Sequence, residues 1–197
     1  MRRTRASGDR SRQKVLNQAA ELATLEGLDG LSVGRLAAAS GMPKSSVYQL
    51  FGSKEEIQLA TIEAALASFM THVVLPAFDS EPGGQRLRAL CDGFLDYVDN
   101  RVFPGGCFFV GAAAEVGGKP GRLRDRVASI QGDWRDLLMR EAETAAERGE
   151  LAEGADPAQV AFELGTILAG TNLVSVLHDD RSVIERARAS VRSRLAS

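Results

Sequence analysis

Apolar positions recur at helical spacing along almost the whole chain. Val15, Leu16, Ala19, Leu22 and Ala23 make one stripe, predicting a helix from about Arg10 to Glu26 that Gly27-Leu28-Asp29-Gly30 ends. Val33, Leu36 and Ala37 make a second face. Ser32 stands before it with a hydroxyl suited to cap the free N–H groups of the first turn, and Gly41 closes it where a left-handed residue is wanted. Pro43 suits the first turn of a third short helix, because its missing N–H has no partner there in any case. On that helix Val47, Leu50 and Phe51 lie to one side and Lys44, Ser45, Ser46, Tyr48 and Gln49 to the other. Two short helices joined by a Gly-containing turn, the second polar and basic outside, form the helix-turn-helix pattern, with a recognition helix at about 43–50.

The same spacing continues. Ser53, Glu55 and Glu56 predict the start of a helix reaching about Leu75, with Ile57, Ala60, Thr61, Ala64, Ala65 and Phe69 on one face and Pro76 near its end. The composition of 79–84 predicts a loop, followed by a helix to about Phe103. Cys107–Val116 is nearly all apolar and reads as a short buried helix. A long amphipathic helix then runs to about Arg148. Asp156 and Pro157 open a helix to about 178, and a last one covers about 181–195. The helix from 157 is apolar over more than one face, so it needs a partner beyond its own chain. This predicts a homodimer through the last two helices, about 157–195. No strand-like alternation or internal repeat stands out, and the expected fold class is all-α.

Composition is that of an ordinary globular protein, with 44% hydrophobic and 25% charged residues in 197. No unbroken apolar run reaches ~18 residues, so no membrane span is expected. The N-terminal Met1-Arg2-Arg3-Thr4-Arg5-Ala6-Ser7-Gly8 lacks the apolar core of a secretory signal. With Cys91 and Cys107 as the only cysteines, a cytoplasmic location is expected. Charge is unevenly placed. Residues 1–54 hold nine Lys or Arg against four Asp or Glu, a net of +5, and the remainder fifteen against twenty-two, a net of −7. A basic head on an acidic body suits a nucleic-acid reader, because the phosphate attraction is confined to one end. Residues 1–9 are expected to be disordered, with Arg2, Arg3 and Arg5 either lying along phosphates or entering a minor groove, or else forming a mobile tail with no fixed contact.

Ser32-Val33, Leu36-Ala37, Ser40-Gly41-Met42, Val47-Tyr48, Leu50-Phe51 and Ser53-Lys54-Glu55-Glu56-Ile57 resemble, at these spacings, the signature of TetR-type transcriptional regulators. The resemblance covers about the first third of the chain closely and the rest as a pattern of helices. It implies a helix-turn-helix DNA-binding domain over 1–53 and a helical ligand-binding and dimerisation domain over 54–197. It also implies a four-helix dimer bundle and phosphate contacts from Tyr48 and Lys54. From groove geometry, Gln49 can read adenine bidentately, Lys44 can take guanine or phosphate, Ser45 and Ser46 are general donors, and the backbone N–H of Ser32 can hold a phosphate. The expected function is a DNA-binding regulator, a repressor released from a pseudo-palindromic operator by a small-molecule effector.

Candidates to line the effector pocket are Phe69, Phe94, Tyr97, Phe108, Phe109, Trp134, Leu138 and Asn172, apolar surface with a few polar handles. An alternative is a thiol-responsive regulator using Cys91 and Cys107, although neither has an adjacent Lys or His to activate it. A helical-bundle enzyme is the other class. His72 and His178 are the only histidines, and no metalloprotease, Walker or nucleophile-elbow motif is present. No catalytic residue, metal or cofactor is expected.

Overall fold

The structure is a computed structural model. It describes the backbone of residues 2–195 and side chains from Ser11 to Leu195. Among the described residues ten α-helices follow one another: α1 (Arg2–Glu26), α2 (Val33–Ser40), α3 (Lys44–Phe51), α4 (Lys54–Phe69), α5 (Leu75–Ala77), α6 (Gly84–Asp99), α7 (Phe108–Val116), α8 (Arg122–Glu147), α9 (Pro157–His178) and α10 (Ser182–Arg194). Among the described residues the only β pairing is an isolated antiparallel bridge between Leu151 and Leu195. Helical backbone already begins at Arg2, ahead of the expected Arg10 and in place of a disordered stretch. No proline interrupts that run, and Arg and Ala are strong helix formers. The roles expected of Arg2, Arg3 and Arg5 fall outside the described side chains.

Between α4 and α5 the chain makes a π-turn, Met70–Val74, closed by the Leu75 N–H donating to the Met70 carbonyl. Periodicity had predicted one unbroken helix here. Pro76 supplies the reason: its ring crowds the carbonyl four residues back, at His72, and the wider turn relieves the clash. The helix after the 79–84 loop stops at Asp99, short of the predicted Phe103.

The chain forms two compact units. The residues up to Ser68 together with Phe103–Ala128 make the first. Its core is built on Val15, Leu28, Leu31, Leu36, Val47, Ile57 and Ile62, all essentially inaccessible. A three-helix head of this size is marginal on its own, and α7 with the first turns of α8 adds to it. Arg122 Nη1 lies 2.9 Å from both Glu55 and Glu56. Arg126 grips Glu63 through two bonds of 2.6 and 2.8 Å, and that pairing holds the Glu63 carboxyl below the usual range. Gly105 packs directly on the end of α1, its N–H donating to Thr24 Oγ1 at 3.1 Å.

Phe69–Val102 and the described residues from Ser129 onward make the second unit. Leu87, Leu90, Leu95, Leu138, Leu164 and Leu168 are its buried centre. Two carboxylates cap the start of α6, Glu141 accepting from Gly83 N–H at 2.9 Å and Glu150 from Gly84 N–H at 2.7 Å. Arg188 joins α10 to α6 through Asp92 at 2.7 Å and Asp96 at 2.6 Å.

Two segments, Lys54–Ala77 and Pro157–His178, are long and apolar enough to cross a membrane by length and composition, where none was expected. Counting unbroken apolar runs misses a helix rich in Ala and Gly whose average hydropathy is high. Both segments carry an ion-paired acid, Glu63 with Arg126 and Glu163 with Arg194 at 2.8 Å.

A Cβ on Gly105 would stand 1.9 Å from the Thr24 carbonyl oxygen. Gly105→Ala is therefore expected to destabilise the protein by about 1–3 kcal/mol. Gly111→Ala, at an open position of α7, should be neutral or stabilise by about 0.5–1 kcal/mol. Urea unfolding of both variants checks the contrast.

Candidate nucleic-acid interface

The helix-turn-helix is shaped by local chemistry that the sequence announced. Ser32 is extended and its Oγ accepts from the Arg35 N–H at 3.1 Å, capping α2. Gly41 takes the left-handed conformation at φ 68°, and its N–H returns to the Ala37 carbonyl. Pro43 caps α3 from just outside it. Val47 is inaccessible and Phe51 nearly so, so that face of α3 is spent on the core. The opposite face carries Lys44, Ser45, Tyr48 and Gln49 exposed, with Ser46 half-buried. Tyr48 is 60% exposed, an unusual position for an aromatic ring without a partner surface.

Two predicted contacts converge. The Lys44 ammonium lies 3.7 Å, and its Cε 3.5 Å, from where a Cβ on Gly34 would sit, with Ser32 Oγ 4.0 Å from the same point. Lys44 thus leans over the first turn of α2, where free N–H groups and the helix dipole favour an anion. Lys54 is placed differently. It is exposed, but its Nζ donates to the Asp29 carbonyl at 2.6 Å, so it also fastens the α1–α2 turn. Arg12, which sequence reasoning did not single out, sits 5.1 Å over the Phe51 ring and adds a cation at the end of α3. Nothing in the helical periodicity marks it, since it lies on the polar side of α1.

The effector candidates separate. In the second unit, Phe69 meets Phe94, Tyr97 and Trp134 edge-on, at 6.2, 5.7 and 5.2 Å between ring centres. Leu138 and Asn172 are buried in the same unit. Phe108 and Phe109 belong to the first unit, where they pack on each other at 5.3 Å. A half-open cleft of about 540 Å³ in the second unit is lined by Ser80, Gln85, Arg88, Asp92 and Glu150, and by none of these candidates.

Both thiols are buried. Burial pushes the Cys91 thiol strongly up, with Asp92 adding to the shift. Cys107 precedes α7, and its thiol is pushed up to about 11 by burial against the opposing pull of the Val110 and Phe109 N–H groups. Among the described residues no group of three or more His, Cys, Asp or Glu is placed to hold a metal ion. His72 and His178 are both exposed.

Comparison with known proteins agrees with this geometry. Residues 15–61 match the pattern described as bacterial regulatory proteins, tetR family, and residues 83–191 that of the tetracyclin repressor-like C-terminal domain. Over 99 residues the chain is 27% identical to the HTH-type transcriptional activator FasR of Mycolicibacterium smegmatis. That alignment covers 50% of this chain, and the chain spans only 45% of that relative's length. A TetR transcriptional regulator from Chloroflexus aurantiacus has the same fold, with a TM-score of 0.86 at 24% identity, over 97% of this chain and 100% of that one. The structure of AibR in complex with isovaleryl coenzyme A and operator DNA is also similar, with a TM-score of 0.72 at 21% identity over 91% and 95% of the two chains. With the N-terminal pattern matched across the helix-turn-helix and the C-terminal pattern matched over more than half of the chain, this protein belongs to the TetR family and is a DNA-binding transcriptional regulator.

Proposed function

We propose that the protein is a homodimeric, cytoplasmic repressor that holds a pseudo-palindromic operator and leaves it when a small molecule binds the second unit. The observation that carries this reading is the division of α3 into a face spent on the core and a face of Lys44, Ser45, Tyr48 and Gln49 left exposed. In this assignment residues 1–53 touch DNA and 54–197 serve effector binding and dimerisation. Gln49 reads a base edge, Ser45 and Ser46 supply further donors, and Lys44, Tyr48, Lys54 and the Ser32 N–H hold phosphates. The protein acts by binding and not by turnover.

Dimerisation is assigned to α9 with α10. Phe162, Leu173 and Leu177 are 68%, 59% and 73% exposed. They share one face of α9 with Thr166 and Gly170, whose small size suits close helix approach. The effector is assigned to the ring cluster of Phe69, Phe94, Tyr97 and Trp134, with Leu138 and Asn172. Such a site is apolar with few polar groups, as small-molecule sites are, whereas the cleft at Arg88 is half-open and carries the charged side chains of Arg88, Asp92 and Glu150. A bound molecule that fits only the DNA-incompetent state shifts the population off the operator.

Thiol sensing is the weaker reading. A thiol at about 11 is thiolate in only about one molecule in a thousand at pH 8. Cys91 and Cys107 are accordingly expected to alkylate with iodoacetamide at pH 8 far more slowly in the native protein than after unfolding. Equal rates would restore the thiol alternative.

Leu173→Asp with Leu177→Asp is expected to yield monomers by analytical ultracentrifugation and to abolish operator binding. A dimer that persists would move the interface elsewhere. Footprinting should reveal two half-sites about one helical turn, ~34–36 Å, or a multiple apart. Lys44→Ala and Lys54→Ala should each weaken binding to all sequences and lower the salt slope by ~1, while Gln49→Ala should cost about 1–3 kcal/mol and relax preference at one base. Unchanged slopes would remove these lysines from the phosphate set.

A further inference from the structure

The turn between α1 and α2 leads straight into Ser32, and its polar backbone is claimed by side chains from elsewhere in the first unit. The Leu28 N–H donates to Glu115 Oε2 at 2.7 Å and the Asp29 N–H to Glu115 Oε1 at 2.8 Å. The Leu28 carbonyl accepts from Gln58 Nε2 at 2.8 Å, and the Asp29 carbonyl accepts from Lys54. The Asp29 carboxylate pairs with Lys119 at 2.9 Å, which holds its carboxyl below the usual range. Gly27 lies at φ +77°, and a Cβ there would stand 2.9 Å from Glu115 Oε2. The turn is therefore built to admit a carboxylate that arrives from α7, 87 residues further along.

A carboxylate is a costly choice in a unit that must approach phosphates, since it repels what the unit binds. It is useful only if its two charge-assisted bonds fix something that neutral groups fix less well. We propose that Glu115 is a positioning residue for DNA recognition. By clasping the Leu28 and Asp29 N–H groups it sets where α2 begins, and so where Ser32 and Lys44 stand against a phosphate. The inference rests on α2 and α3 being the DNA-reading face. It assigns to α7 a part in reading DNA that the 1–53 boundary leaves out.

The test turns on sign. Glu115→Gln keeps the shape and removes a negative charge, so general electrostatics alone predicts tighter DNA binding. Positioning predicts weaker binding. Gly27→Ala displaces the carboxylate with no change of charge. The full chain is used, with a duplex that the unaltered protein selects from a random pool, read by fluorescence anisotropy across a salt series. Both variants are expected to bind about tenfold more weakly, Glu115→Gln with helicity and unfolding temperature close to the parent's and Gly27→Ala with a lower unfolding temperature, because its backbone is held at φ +77°. The Leu28 and Asp29 amides of Glu115→Gln should exchange hydrogen faster. Parental or tighter binding by Glu115→Gln overturns the proposal, however fast Leu28 and Asp29 exchange and even if Gly27→Ala misfolds. Lys44→Ala and Gln49→Ala run beside them. If those two also bind at full strength, the DNA-face reading fails and takes this inference with it. If they weaken while Glu115→Gln does not, only the role of Glu115 is lost.

Discussion

The head of this protein has to hide one side of three helices while leaving the other side of the third untouched. Leu28, Leu31, Leu36, Val47 and Ile57 meet the first demand, each at most 1% exposed. Because the apolar positions of α3 fall on a single stripe, burying that stripe leaves the polar stripe outward without further specification. Every DNA contact assigned to the head depends on this partition. A polar residue at Val47 would remove the core that orients Lys44 and Gln49 together.

So small a core does not hold alone, and the chain recruits help from far along its length. Glu115, Lys119, Arg122 and Arg126 each make ionic or hydrogen-bonded contacts to the α1–α2 turn or to α4. Most of these groups are substantially exposed, so each pair contributes little in isolation. Their value lies in direction: they fix the orientation of elements whose apolar contacts alone allow sliding. The second unit shows the same habit, with Arg188 bridging two aspartates of α6 and two carboxylates capping the start of that helix.

The helices and the helix-turn-helix were legible in the sequence because both write themselves locally. Ser32, Gly41 and Pro43 mark helix ends by backbone chemistry, and the stripes around them repeat every three to four residues. The π-turn was not legible. Its cause, Pro76, is visible, but a proline near a helix end ordinarily stops the helix instead of widening the turn before it. The grouping of α7 with the head was equally hidden, since a bond from Glu115 to a backbone N–H 87 residues away leaves no periodic trace. The effector candidates show the same limit. Aromatic residues at helical spacing declare burial, but nothing in that spacing assigns Phe69 to the second unit and Phe109 to the first.

Binding as proposed brings the outer face of α3 and the start of α2 against duplex DNA. Amide hydrogen exchange of the protein, with and without a duplex it has selected, tests this contact at each residue. New protection is expected to concentrate in 32–36 and 43–50, with little change along α9. Protection confined to the second unit, or none at all under conditions where the complex is saturated, would contradict it.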